Sequence, residues 1–414
     1  MNAVWEVYKL SAAGLRDSVL TKYEGFDGQL NRAKLSQFSI VGTCIGTVPL
    51  AMGDRIAMVR NETQLFSGVI TGLSIKCADT GNNVKQWEAV VQGDSVVLEW
   101  RYVFATGAGT APAGINVGEG VYDKRPNNND EDSTQSALNR MLYYVRKHAG
   151  PNAHSSRQLL TVSQAEDDAR GEQGRSAYHI KKLSDVISEI GEQDELYPVV
   201  NTNTSGTRVL TVPEIRDRTE AVVVSPEFGN VAEWGVTRKY PEFNACWVIS
   251  GVSTKENSDG SKTETRVWVY AEDTASIEKY GRIETVITKG DIKIVPPDPD
   301  NEDVTPVTAA EVRKMLTAEA KSQLKEAAAT EKWTITMMET DSCEFMTDWK
   351  LGDRVKCVID GKSFTSVIET VDIKYSAGVE TVTPTIGDVE NGLYGDLYKL
   401  LHGIDKRLKT EEEN

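Results

Sequence analysis

The sequence predicts a β-rich α+β chain of several domains that contains one type of β-domain twice. Its 414 residues are enough for two to four domains that each bury a core. Segments with the alternating pattern of strands occupy both ends of the chain, whereas the middle also carries helical periodicity. One motif occurs near each end. We therefore expect two similar β-domains with α+β segments inserted between them.

The first predicted domain covers residues 1–105 and consists of strands separated by Gly, Asn and Asp turns. These strands are enough for a small barrel or a sandwich. The strand segments are Trp5–Leu10, Lys34–Val41, Arg55–Val59, Phe66–Cys77 and Trp87–Val91.

An α+β domain is predicted over residues 106–220. A glycine-rich passage and the polar run 127–132 indicate an exposed linker or a long loop. Two helical segments follow, the first of them after Ser133, a predicted N-cap. Their apolar faces consist of Ala137, Leu138, Met141, Leu142 and Val145, and of Leu183, Val186, Ile187 and Ile190.

Residues 221–330 are predicted as a β-rich domain with a linker and a helix, and part of this domain is a candidate to complete the second β-domain. The acidic, proline-bearing stretch 295–303 is a boundary or an exposed loop. Thr308 and Glu311 predict a capping box for a helix that ends near Ala329. Residues 331–390 are the second predicted β-domain.

The last predicted element is an amphipathic helix over residues 391–414. Its apolar spacing fits either a bundle around a threefold axis or packing against its own domain. The apolar positions are Leu393, Leu397, Leu400, Leu401, Ile404 and Leu408.

The most specific signal is a motif, Gly-Asp-Arg-Ile/Val, which begins at Gly53 and again at Gly352. With one extra residue allowed in the first copy, nine positions are identical over about two dozen, which indicates an internal duplication. Each copy predicts a hairpin whose second strand turns one face into a core. The faces are Val69, Thr71, Leu73 and Ile75 in the first copy, and Val367, Glu369, Val371 and Ile373 in the second.

Composition excludes several function classes. Apolar residues make up 39% and charged residues 26%, as in an ordinary folded protein. Without an 18-residue apolar run or a signal peptide, we expect synthesis to end in the cytosol and no stable membrane insertion. A net charge of −16 disfavours nonspecific binding to nucleic acid or anionic membranes. The cysteines lack a CxxC pair and are interpreted as small buried hydrophobes: Cys44, Cys77, Cys246, Cys343 and Cys357.

With these features the chain resembles the baseplate-hub and tail-associated (tail tip) proteins of tailed phages, a family related to late control protein D and to contractile-injection hub proteins. The opening Leu351–Val355 and the earlier copy from Gly53 carry the resemblance. Supporting segments are Phe243-Asn244 before the strand Ala245–Gly251, Ala271–Asp273 followed by Ser276–Gly281, and the helix Gln135–Gly150 leading to Arg157. The resemblance implies two related small antiparallel β-barrels that form a ring, with α+β domains beneath or outside it.

The resemblance also implies a function. A non-enzymatic hub of this family is a homotrimer whose duplicated domains form a pseudo-sixfold ring. The ring joins the tail tube to the tip and helps to form the channel for DNA and the tape-measure protein. Expected partners are the distal tail protein, the tail tube protein, the tape-measure protein and tip or fibre proteins. We expect the protein in the virion after assembly in the host cytoplasm, without sequence-specific nucleic-acid binding.

The residue patterns predict no catalytic, cofactor-binding or metal site and no cofactor. HExxH, GxSxG and phosphate-loop motifs are missing, and the acidic runs 127–132 and 298–303 lack EF-hand spacing. The four histidines are interpreted as surface residues: His148, His154, His179 and His402. Strand tryptophans suit either a core or a sugar groove, and the core is favoured for Trp234, Trp247, Trp268, Trp333 and Trp349. The alternative functions are therefore a receptor- or carbohydrate-binding tail module and, third, a cell-wall hydrolase.

Overall fold

The computed structural model describes residues 3–79, 81–106, 115–116, 122–125, 134–164, 169–256, 259–296, 306–340 and 342–387. The predicted C-terminal helix, both acidic runs and His402 lie outside these residues. The described residues within Met1–Trp234 and Thr334–Val389 form a first compact unit, and those within Gly235–Trp333 form a second. The first and the last predicted β-regions therefore belong to the same unit.

The N-terminal strands follow the alternating pattern of the sequence. In Gln37–Ile45, for example, Phe38, Ile40, Gly42 and Cys44 are buried, whereas the alternate residues are partly or fully exposed. A short 3₁₀ helix, Asp94–Leu98, ends this region. The strands are β1 (Trp5–Leu10), β2 (Arg16–Val19), β3 (Gly25–Asn31), β4 (Gln37–Ile45), β5 (Arg55–Arg60), β6 (Thr63–Asp79) and β7 (Val84–Gly93).

The middle of the first unit is α+β. The α-helices are α1 (Ala137–His148) and α2 (Leu183–Gly191), and their predicted apolar faces are buried together in one core. The N-cap of α1 is Ser136, whose hydroxyl accepts the Asn139 N–H at 3.3 Å, and not the predicted Ser133, which lies outside the described residues. The strands are β8 (Tyr102–Val103), β9 (Ala105–Thr106), β10 (Ile115–Asn116), β11 (Asp123–Arg125), β12 (Thr161–Val162), β13 (Ser176–Tyr178), β14 (Lys181–Lys182), β15 (Val199–Thr202) and β16 (Arg208–Thr211).

The second unit packs a helix on a three-stranded sheet. The predicted capping box is confirmed, because Thr308 and Glu311 exchange hydrogen bonds, although the helix ends at Glu326. Two preceding strands are β17 (Val223–Val224) and β18 (Val231–Lys239). The elements that follow are β19 (Ala245–Ser250), β20 (Ser253–Glu256), β21 (Lys262–Thr265), β22 (Trp268–Glu272), α3 (Thr274–Tyr280), β23 (Glu284–Lys289) and α4 (Ala309–Glu326).

The chain returns to the first unit through β24 (Thr330–Met337), followed by β25 (Arg354–Ile359), β26 (Lys362–Ser376) and β27 (Val379–Gly387). Among the described residues, thirteen strands form one sheet in the order β18-β24-β27-β26-β3-β4-β7-β6-β5-β1-β2, with β25 beside β26 and β17 beside β25. Two related small β-barrels were expected, and the described strands form no closed barrel. The sheet is open because β3 of the first copy pairs with β26 of the second, so both copies share one sheet.

Candidate assembly interface

The duplicated motif adopts the same backbone structure at both places. Gly53 and Gly352 have φ of +82° and +85°, a region that favours glycine. Their N–H groups donate to the carbonyls of Ile70 and Ile368, each at 2.9 Å. The aspartate that follows each glycine accepts a backbone N–H three residues upstream, at 2.8 Å for Asp54 and 2.7 Å for Asp353. The predicted duplication therefore corresponds to two β-meanders, β5-β6-β7 and β25-β26-β27.

The extra residue of the first copy is a β-bulge. Met58 pairs with Phe66 while Val59 pairs with Gln64, so Leu65 has no opposite residue. In the second copy Cys357 pairs with Phe364 and the next pair follows without a shift. The insertion thus adds one bulged residue near the hairpin turn, and the other residues of β5 and β6 pair as in the second copy.

The two copies meet where β3 pairs antiparallel with β26, and we call this pairing the joint. It runs from Gly25 opposite Ser376 to Asn31 opposite Thr370. A Cβ on Gly28 would lie 2.4 Å from the Gln37 carbonyl oxygen, so only glycine fits this close approach. Across the joint the Gln29 side-chain amide donates to Asp372 at 2.9 Å, while burial raises the pKa of that carboxyl.

Aromatic side chains fill the core beneath the joint. Phe26 stacks on Tyr375 with ring centroids 5.3 Å apart, and Trp5 meets Phe26 edge-on at 4.8 Å. Phe38 extends the cluster to Phe66 at 4.8 Å. Rings from β1, β3, β4, β6 and β26 therefore form one core, and its burial stabilises the joint.

Buried ion pairs hold the rim of the joint. Arg60 binds both carboxylate oxygens of Glu380 at 2.8 Å, and the side chains are only 10% and 9% exposed. The Trp5 indole N–H donates to Glu380 at 2.9 Å. Burial alone would lower the pKa of Arg60, but the carboxylates of Glu380, Glu339 and Glu344 together raise it. On the other side Arg32 pairs with Glu369 at 2.7 Å.

In the first copy, the strand segment that corresponds to the β26 side of the joint has a free edge among the described residues. In β26 the residues after the bulge pair with β27 on one side and with β3 on the other. In β6 the corresponding segment, Thr71–Cys77, pairs with β7 on one side. On the other side, β5 pairs with β6 only as far as Val69. Within the described residues no strand covers its other edge. Ile75 is consequently 52% exposed, although its counterpart Ile373 is 1% exposed.

This difference corrects part of the prediction for the second hairpin strands. The face of the second copy is buried as expected at Val367, Val371 and Ile373. In the first copy only Val69 is buried, and Thr71 is exposed. The reason is that no strand among the described residues lies beside this segment of β6, since the alternation of apolar and polar residues is the same in both copies.

The sheet presents a polar face on the side opposite to the aromatic core. Positions that alternate with Phe26, Ile40, Ala89 and Ile373 carry mostly hydroxyl, amide and a few charged side chains, and Val41 and Val90 are apolar members of the same face. They form adjacent rows across five strands, and the mix is dominated by uncharged polar groups. The members include Asp27, Gln29, Gln37, Ser39, Glu88, Gln92, Asp372, Lys374, Thr381 and Thr383.

The histidines singled out in the sequence form no common site in the described part of the chain. His154 is exposed, as expected. His148, however, is fully buried, and its Nε2 lies 2.7 Å from the Asp123 carboxylate, so the surface interpretation is wrong there. Lys147 also binds Asp123, at 2.6 Å. Burial lowers the pKa of His148 despite this carboxylate.

The tryptophans and cysteines divide between core and surface. Trp349 is a core residue with no exposure, as predicted. Trp234, Trp247 and Trp268 are 39%, 37% and 57% exposed, which contradicts the core prediction. Four cysteines are buried and Cys77 is exposed. Within the described residues no group of acidic, histidine and cysteine side chains has the geometry of a metal site, and no helix is long and apolar enough to cross a membrane.

The joint, the edge of β6 and the polar face are the candidate interface that the described residues offer, and the comparisons with known proteins identify the family. A family model described as Siphovirus ReqiPepy6 Gp37-like protein matches residues 47–388. The chain belongs to this family, and the resemblance to tail-associated proteins inferred from the sequence is confirmed. No curated protein matches the chain significantly.

Solved structures of tail proteins are similar over almost the whole chain. The 43 kDa tail protein of prophage MuSo2 from Shewanella oneidensis is 12% identical with a TM-score of 0.52, and the match covers 92% of this chain and 97% of that chain. The tail protein from Neisseria meningitidis MC58 is 11% identical, with a TM-score of 0.49 and coverage of 93% and 97%. The first of these similarities shows a shared fold.

Proposed function

We propose that the protein is a non-catalytic structural component of a phage tail tip or baseplate and is part of the virion. Family membership and the fold shared with a prophage tail protein support this class. We further propose that three copies form a ring that joins the tail tube to the tip. The observation that carries this finer proposal is the strand order of the sheet.

Each copy contributes four strands in the same order, β3-β4-β7-β6 in the first and β18-β24-β27-β26 in the second. Inside the chain the first strand of one set pairs with the last strand of the other. A repeat of this joint would place β18 of one chain on the Thr71–Cys77 edge of β6 in the next. Such a head-to-tail contact closes into a ring or continues as a filament. Three chains give six similar sets, which suits a sixfold tail tube.

The polar face is then the wall of the central channel. The carboxylates of Asp27, Glu88 and Asp372 repel phosphate, and they outnumber Lys374, the cation named on this face. The net charge of −16 on the whole chain also repels DNA. A wall of this kind lets DNA and a tape-measure protein pass without holding them.

The partners follow from the two ends of such a ring. We propose the tail tube and distal tail proteins on one end, tip or fibre proteins on the other, and the tape-measure protein inside. The paired β-regions, residues 1–105 and 331–390, supply the ring together with β18, and the α+β segments supply the surfaces toward these neighbours.

Size-exclusion chromatography with light scattering tests the ring. The wild-type chain is expected at three times the subunit mass of 45.6 kDa. Ile75→Glu places a charge on the edge of β6 and should give folded monomers, whose urea midpoint falls only by the stabilisation that assembly supplied. Ile180→Glu is the matched control, because Ile180 is 50% exposed and lies in the turn between β13 and β14.

Two results would contradict the proposal. One is a wild-type chain that stays monomeric alone and with its tail neighbours. The other is an Ile75→Glu chain that assembles like the Ile180→Glu control, since the edge of β6 would then not be the contact.

A further inference from the structure

The three-stranded sheet of the second unit has one covered face and one aromatic face. Its strand order is β22-β19-β23. Cys246 and Val248 of β19 pack against Val312 and Leu316 of α4, and all four are fully buried. A sheet covered on one side normally alternates apolar and polar residues, so polar side chains are expected on the other side.

Large apolar side chains occupy that other side instead. Trp247 is paired with Tyr270, and Ile249 with Trp268, across the β19–β22 ladder. Val286 of β23 lies opposite Trp247 and is 63% exposed. The Trp247 ring centroid is 5.3 Å from Trp268 and 4.7 Å from Tyr270, with the planes tilted by about 50°. We call these five residues the aromatic face. Exposed apolar clusters of this kind mark binding sites.

Ordered polar groups border the aromatic face at one end. The Arg282 guanidinium donates to Glu272 at 2.8 Å and to Glu284 at 3.3 Å, and it also donates to the Tyr270 hydroxyl. The Tyr270 hydroxyl donates to Glu272. Two carboxylates against one guanidinium leave this border with a negative charge and with several acceptors in fixed positions.

We propose that the aromatic face binds a neutral saccharide. The C–H faces of a pyranose ring pack on Trp247 and Trp268, and its hydroxyls exchange hydrogen bonds with the Arg282 network. Aromatic walls with a few convergent polar groups are the usual composition of a small-ligand site. The negative border disfavours an acidic polymer, and fixed carboxylates beside the rings suit hydroxyl donors better than an apolar protein surface. The five residues of the aromatic face belong to the second unit, and none of them lies on β18 or on the edge of β6, the strands proposed for the ring contact.

Titration of the full chain with soluble hexasaccharides of glucose, galactose, mannose and N-acetylglucosamine tests the site, with calorimetry and tryptophan fluorescence as readouts. Trp247→Ala and Trp268→Ala are each expected to weaken binding of the preferred sugar about tenfold. Trp247→Phe keeps a ring and should recover most of the affinity. The matched control is Trp100→Ala, because Trp100 is 44% exposed and lies in the first unit.

Three outcomes would overturn the proposal. The first is that no sugar binds at millimolar concentration. The second is an equal loss in Trp100→Ala. The third is that Trp247→Ala and Trp268→Ala fold normally, bind sugar like the wild type, and lose association with another tail protein. The aromatic face would then be a protein interface.

Discussion

Removal of the Glu380 carboxylate should destabilise the joint, because it leaves a buried guanidinium with a poor partner. After Glu380→Ala the nearest remaining carboxylate of Arg60 is Glu339, at 3.8 Å. The Trp5 indole N–H also loses its acceptor. Breaking a buried ion pair from one side costs about 3 to 5 kcal/mol. Since both side chains keep about a tenth of their surface exposed, we expect the lower end, about 3 kcal/mol.

A double-mutant cycle separates the pair from the cost of truncation. Arg60→Ala removes the buried cation, so the double variant with Glu380→Ala should lose about 1 to 2 kcal/mol less than the sum of the single variants. Lys181→Ala is the control, because Lys181 and Glu189 are 40% and 53% exposed and should contribute less than about 1 kcal/mol.

Urea unfolding measures these free energies, and hydrogen exchange of β1 and β27 peptides assigns the transition to the first unit. The reasoning fails if Glu380→Ala unfolds within about 0.5 kcal/mol of the wild type. Additive losses in the double variant would also refute it, since the two charges would then not be coupled.

Three further predictions use the same assay. Gly28→Ala should cost several times more free energy than Gly290→Ala, because its Cβ would meet the Gln37 carbonyl at 2.4 Å whereas Gly290 has open space; equal losses would contradict this. Trp349→Ala should cost about 3 to 5 kcal/mol, and a loss below 1 would argue against its full burial. Burial lowers the pKa of His148, so the unfolded chain binds the proton more readily and stability should fall as pH drops below about 6.5. His148→Gln should remove this slope, and an unchanged slope would assign it to another group.

The sequence allowed local elements to be predicted where a local period or a cap determines them. The hairpins after Gly53 and Gly352 follow from alternation, and the start of α4 follows from the Thr308 capping box. The shared sheet could not be predicted, because the pairing of β3 with β26 joins segments more than 300 residues apart. No local sequence pattern indicates that β3 pairs with β26 and not with a strand of its own copy.

The burial of single side chains was predictable only where alternation was read residue by residue. Cys246 and Val248 flank Trp247 on β19, so burial of the two neighbours places the tryptophan on the opposite face. Assigning every strand tryptophan to the core missed this signal. The helical period also gave a signal for His148, which follows Met141 by seven residues and Val145 by three and so lies on the buried face of α1. The period did not reveal its partner Asp123, which lies on β11.

Ile75 and Ile373 show how the joint decides the environment of equivalent residues. Their sequence contexts match, yet one is half exposed and the other is buried, because only β26 has β3 at its side. An exposed isoleucine beside unpaired backbone groups is an aggregation hazard that stable proteins avoid. If β18 of another chain covers the edge of β6, Ile75 gains the environment that Ile373 already has, and every such edge in a closed ring is paired. The duplication then explains why Ile75 and Ile373 differ in exposure within one chain and why this difference disappears in the assembly.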